Sequence, residues 1–62
     1  MNKIYYIVYD PITLKIIHCY YIWDYRISNY LKENPHYNWL NVTHPATKKL
    51  LYKINETNKT NY

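Results

Sequence analysis

Residues 3–23 read Lys-Ile-Tyr-Tyr-Ile-Val-Tyr-Asp-Pro-Ile-Thr-Leu-Lys-Ile-Ile-His-Cys-Tyr-Tyr-Ile-Trp. Residues 3–9 are almost all β-branched or aromatic, which is a strand signal. Asp10-Pro11-Ile12-Thr13 then interrupts them. Asp suits the first position of a type I turn, and Pro suits the second because its ring fixes φ. Residues 14–23 form a second strand-like run, so the stretch predicts a β-hairpin over about 3–9 and 14–23. Its alternation places Ile4, Tyr6 and Val8 on one face and Tyr5, Ile7 and Tyr9 on the other. Both faces are apolar, and a sheet with two apolar faces needs cover on both. One cover is expected from the chain's own helix, with a partner chain as a candidate for the second.

Further along, Asp24 is suited to N-cap a helix, with Trp23 ahead of it as a candidate staple residue. Ile27, Tyr30 and Leu31 share one helical face by their spacing. Asn34 suits a left-handed residue after a helix, and Pro35 blocks continuation. These signals predict a short helix over about 25–33. Residues 37–43 alternate as a third strand, with Leu40 and Val42 facing in and Pro45 ending it. Residues 46–55 fit either a strand or a helix. As a strand, Leu50, Tyr52 and Ile54 face the core. As a helix, Ala46, Leu50 and Ile54 form a stripe with Leu51 beside it, capped by Thr43 or His44. The strand is preferred, because Lys48 and Lys49 near a helix N-terminus oppose its dipole. The polar residues 56–62 are expected to fray as a tail outside a single domain of residues 1–55. The fold class is therefore α+β: a small antiparallel sheet that starts with a hairpin, plus a short helix.

At the hairpin, Tyr6-Ile-Val-Tyr-Asp-Pro-Ile-Thr-Leu-Lys-Ile16 resembles the opening hairpin of small phage-encoded proteins. In those a hydrophobic strand ends in Tyr-Asp-Pro-x-Thr-Gly, and a second strand starts with a charged residue and Ile. Several are tail-associated or accessory proteins, so the resemblance implies a phage or viral origin. It covers about a fifth of the chain and carries over no functional residue. Leu14 stands where glycine is usual, so a left-handed bulge is not expected there.

Composition agrees with that origin. The 62 residues hold 10 Tyr, and Tyr, Asn, Ile and Lys together dominate the chain, all with A/T-rich codons. Phe shares such codons and is absent, so Tyr is favoured beyond codon bias. A ring with one wet edge suits interfaces, although tyrosines also line the edge of a thin core. So short a chain buries only ~60% of its unfolded surface and has little room for a deep substrate cleft. Dimerisation is one way to enlarge its core. Cys19 is the only cysteine, so no intrachain disulfide forms. Asp10 and Pro11 cut the first apolar run too short for a signal segment or membrane span. The expectation is a cytoplasmic setting, that of the host cell if the protein is viral, with no membrane partner.

No catalytic constellation stands out. Asp10 is explained by a turn and Asp24 by a cap, and no carboxylate pair has a reason to share a site. His18, Cys19, His36 and His44 lack zinc-ligand spacing, and adjacent His18 and Cys19 point to opposite strand faces. A Cys19–His nucleophile has no orienting third group. With no glycine, phosphate-cradling loops are excluded. No metal, cofactor or enzymatic activity is expected.

Binding surfaces remain. Tyr5, Tyr9, Tyr20, Tyr21 and Trp39 are the expected protein-binding anchors, drawn from a set that includes Trp23 and Tyr37, because Tyr and Trp lead interface hot spots. The net charge of +4 is concentrated in the C-terminal third. There Lys48, Lys49, Lys53 and Lys59 are candidate contacts for phosphates or an acidic partner. The expected function is non-catalytic protein binding, as a small phage or viral accessory protein that inhibits a host defence protein by occupying its surface. Alternatives are a virion or assembly subunit, and a nucleic-acid-binding accessory protein.

Overall fold

The computed structural model describes residues 4–59. They form β1 (Tyr6–Tyr9), β2 (Ile16–Tyr20), α1 (Tyr25–Glu33), β3 (Asn38–Asn41), a 3-10 turn (Pro45–Thr47) and α2 (Lys48–Lys59). The fold is α+β, with one antiparallel sheet in the order β2-β1-β3. The central strand β1 pairs Ile7 with Cys19 on one side and with Leu40 on the other.

The hairpin turn is built by Asp10. Its Oδ1 accepts from the Ile12 and Thr13 backbone N–H groups at 2.8 and 3.3 Å. The Leu14 N–H then closes on the Asp10 carbonyl at 2.7 Å. Against the sequence expectation, Leu14 is left-handed, with φ 62. It keeps this conformation because its side chain packs against the core. A bulge follows where the register slips between Val8 and Tyr9. The second strand is shorter than the predicted 14–23. It ends at Tyr20, whose carbonyl takes the Tyr5 N–H as the last rung, and Tyr21 to Trp23 leave the sheet to enter α1.

α1 spans the residues its caps predict. Asp24 Oδ1 accepts from the Arg26 N–H at 2.8 Å, and Ile27 is fully buried. Asn34 is not left-handed. Pro35 keeps it out of the helical region, with φ −131 and ψ 70, and its side-chain amide donates to the Tyr30 carbonyl at 2.9 Å instead. Trp23 does not staple the helix either. The residue one turn in, Ser28, is exposed and polar, and the indole turns to the sheet.

Residues 46–55 are helical rather than the preferred strand, in α2 and the 3-10 turn before it. A strand would point Leu50 and Leu51 to opposite sides. The helix turns Leu50, Leu51 and Ile54 together onto Ile7, Tyr9 and Leu40. Burying an aliphatic side chain fully is worth ~1.5–3 kcal/mol, against ~0.3–1 kcal/mol for each lysine facing the dipole. His44 supplies the cap, its Nδ1 accepting from the Ala46 N–H at 3.1 Å. α2 continues through Lys59, into the predicted tail, and residues 60–62 of that tail lie outside the described residues. Asn58 anchors this last turn. Its amide donates to the Leu14 carbonyl at 2.8 Å and accepts from the Ile16 N–H at 3.0 Å.

The two faces of the sheet are thus covered by the chain's own helices. α2 lies on the Ile7, Tyr9 and Leu40 face. On the other face Val8 is fully buried and α1 lies over it, the Tyr30 ring meeting His18 edge-on at 4.8 Å. The second cover assigned to a partner chain is α2, so a binding role has to rest on what the covered sheet still exposes.

Candidate functional site

Three elements bring large rings together at one flank of the α1 face. β1 contributes Tyr6, β3 contributes Trp39, and the loop leaving β2 contributes Trp23. Trp39 and Tyr6 share this face because Trp39 lies across from Val8, two residues along from Tyr6. Ring centroids are 4.7 Å apart for Trp23–Trp39, 5.5 Å for Tyr6–Trp23 and 6.2 Å for Tyr6–Trp39. Tyr6 and Trp23 meet edge-on, their planes inclined by 69°, the arrangement aromatic quadrupoles favour, while the other two pairs are tilted by 55° and 59°. The rings fill each other's space, so the cluster presents a solid ridge and not an open cage. Both indoles are still 42% exposed.

Beside Trp23 in the chain, Tyr21 and Ile22 of the loop and Tyr25, the first residue of α1, are also exposed. A shallow hollow of about 290 Å³ beside the loop is lined by Cys19, Tyr20, Tyr21, Ile22 and Arg26. That volume falls at the lower limit for a small-molecule pocket. Arg26 is fixed there by Asp24, whose Oδ2 accepts from its Nε and Nη2 at 3.1 and 2.8 Å. The Arg26 guanidinium holds the Asp24 carboxyl below the usual range. Partial burial, with Tyr30 nearby, raises the Tyr20 phenol, which stays a neutral hydrogen-bonding group at neutral pH.

The expected anchors separate on this framework. Trp39 and Tyr21 are exposed on or beside the ridge, and Tyr20 is half-buried across from Tyr6. Tyr5 is exposed, but by strand alternation it belongs to the opposite face. Tyr9 is corrected outright. It is only 4% exposed and packs with Ile7, Leu40 and Ile54, so it is core and offers a partner nothing. Tyr6, Ile22 and Tyr25 were not among the expected anchors, and Trp23 stood only in the wider set from which they were drawn. The available signal was the run of large apolar residues on both sides of the Asp24 cap, where a loop must expose what a strand would bury.

The lysines gather on a second surface. Lys48, Lys49, Lys53 and Lys59 are all exposed on α2, away from the buried Ile54. Lys48, Lys49, Tyr52 and Lys53 line a shallow hollow of about 380 Å³.

The remaining reactive side chains are engaged otherwise. His18 packs between Tyr20 and Tyr30, and His36 lies against Tyr37 at 4.1 Å. Burial pushes the Cys19 thiol up, opposite to the shift that activates a thiolate nucleophile. Among the described residues no three His, Cys, Asp or Glu side chains gather as metal ligands, and no helix is long and apolar enough to cross a membrane. No family model, curated protein or solved structure matches the chain.

Proposed function

We propose that the chain is a non-catalytic protein-binding module that docks its partner on the Trp23–Trp39–Tyr6 ridge, with Tyr21, Ile22 and Tyr25 extending the contact. The observation that carries this reading is the pair of indoles, packed at 4.7 Å yet each 42% exposed. Single exposed apolar residues are ordinary, whereas a contiguous group of large rings marks an interaction surface. Mutual packing also holds both rings before a partner arrives, which reduces the ordering cost of binding. In the phage or viral setting that the hairpin resemblance implies, the module acts by covering a functional surface of a host defence protein.

The test compares affinity baits in host lysate, nuclease-treated and washed at high salt. A host protein retained by the wild-type bait should be lost by Trp23→Ala and Trp39→Ala baits. Each substitution should weaken the isolated complex by roughly 2 kcal/mol or more, about 30-fold. Equal capture by all three baits refutes the ridge as the docking surface. Recovery of nothing but further copies of the chain replaces host-protein binding with self-assembly.

A further inference from the structure

The outer face of α2 is a separate surface, in the layer on the far side of the sheet from α1. Helical spacing puts Lys48 beside Tyr52 and Lys49 beside Lys53, one turn apart, with Lys59 a further two turns from Tyr52 on the same side. Lys48 and Lys59 are about 16 Å apart along the axis at 1.5 Å per residue. Among the described residues none of the four ammonium groups has an ion-pair partner. The first turn of α2 carries no acidic residue, and the one carboxylate of the helix, exposed Glu56, lies one turn beyond Tyr52 on the same side and leaves the four lysines in excess. Between them Tyr52 is 67% exposed. The walls of the 380 Å³ hollow are almost wholly apolar, built from the Lys48, Lys49 and Lys53 stems and the Tyr52 ring, with the charges at its rim.

We propose that this face binds single-stranded nucleic acid, with a base stacked on Tyr52 and neighbouring phosphates met by Lys48, Lys49, Lys53 and Lys59. The chemistry of the hollow selects this occupant. An unpaired base has a flat apolar face for the floor and an anionic backbone for the rim. A duplex keeps its bases stacked on each other and leaves Tyr52 without a partner. An acidic protein surface would satisfy the rim only, and lysine is depleted where protein interfaces form their cores. The inference rests on α2 alone, so its failure leaves the ridge reading intact.

The experiment titrates a fluorescently labelled 12-mer oligothymidylate with the full chain and follows anisotropy across a salt series. Binding should fall with salt with a log–log slope of about −2 to −3, set by ~0.7 per phosphate on a single strand. Lys49→Gln/Lys53→Gln should weaken binding and reduce the steepness of that slope by about 1.4. Tyr52→Ala should weaken binding at least about fivefold at an unchanged slope, and Tyr52→Trp should retain it. Ser28→Ala, exposed on α1, should bind as the wild type does. All substituted side chains on α2 are exposed, and far-ultraviolet circular dichroism checks that each variant is folded. The proposal is overturned if wild type shows no binding at low salt, or if Tyr52→Ala has no effect. It is also overturned if a 12-base-pair duplex binds more tightly, or if polyglutamate competes as well as the unlabelled oligonucleotide.

Discussion

Leu14 places a branched side chain at φ 62, a region where L-residues with a Cβ are strained by ~1–2 kcal/mol. Its isobutyl group is half-buried against the core, worth about half of the ~1.5–3 kcal/mol for full burial of a leucine. Leu14→Ala removes that contact and keeps the strain. Leu14→Gly removes the contact and the strain together, while gaining ~0.4–1 kcal/mol of unfolded-state entropy cost. The difference between the two variants isolates the backbone, and Gly should be more stable than Ala by roughly 0.5–1 kcal/mol. For so small a domain that corresponds to about 2–8 °C in Tm. At an ordinary exposed helical site such as Ser28 the order should reverse, with Ala above Gly by about 1 kcal/mol. Thermal and urea unfolding, followed by fluorescence of the clustered indoles, measures both pairs. An alanine variant at position 14 as stable as the glycine variant, or more so, refutes the strain argument.

Asn58→Ala removes bonds to the Leu14 carbonyl, the Ile16 N–H and the Ile54 carbonyl, and should cost about 2–4 kcal/mol at ~0.5–1.5 kcal/mol each, read from the urea midpoint. Arg26 lowers the Asp24 carboxyl below its unfolded value, so this contribution to stability is present above the ordinary aspartate range and is lost as pH falls through the folded value. Acid titration should therefore loosen α1 first, and Asp24→Asn, which still caps, should flatten that part of the stability–pH curve; an unchanged curve would remove Asp24 from the account.

The elements with local signals were legible in the sequence. The hairpin, α1 and the inward face of β3 follow from turn chemistry, an Asp cap before Pro-terminated spacing, and strand alternation. Residues 46–55 were misread because the dipole penalty at Lys48 and Lys49 is local, whereas the apolar sheet face that outweighs it belongs to strands far away in the chain. Leu14 was misread for the same reason, since the contact that holds it left-handed comes from the core. At the surface, Trp39 and Tyr21 were recognisable by residue type. Tyr9 was not separable from them, because inside or outside for a central strand depends on which helix covers it. The lysine surface was visible as composition, but only the helical turn of α2 sets Tyr52 among the lysines.

The amide of Asn58 also bears on how copies of this chain behave toward one another. β2 lies at the border of the sheet, where unused backbone groups invite a strand from a neighbouring molecule. The Leu14 carbonyl and Ile16 N–H are two such groups, and a carboxamide offers them the same acceptor and donor that a peptide unit would. One side chain thus stands in for a single rung of a fourth strand. It closes that end of the border to stacking and leaves the molecule less prone to aggregate at high concentration.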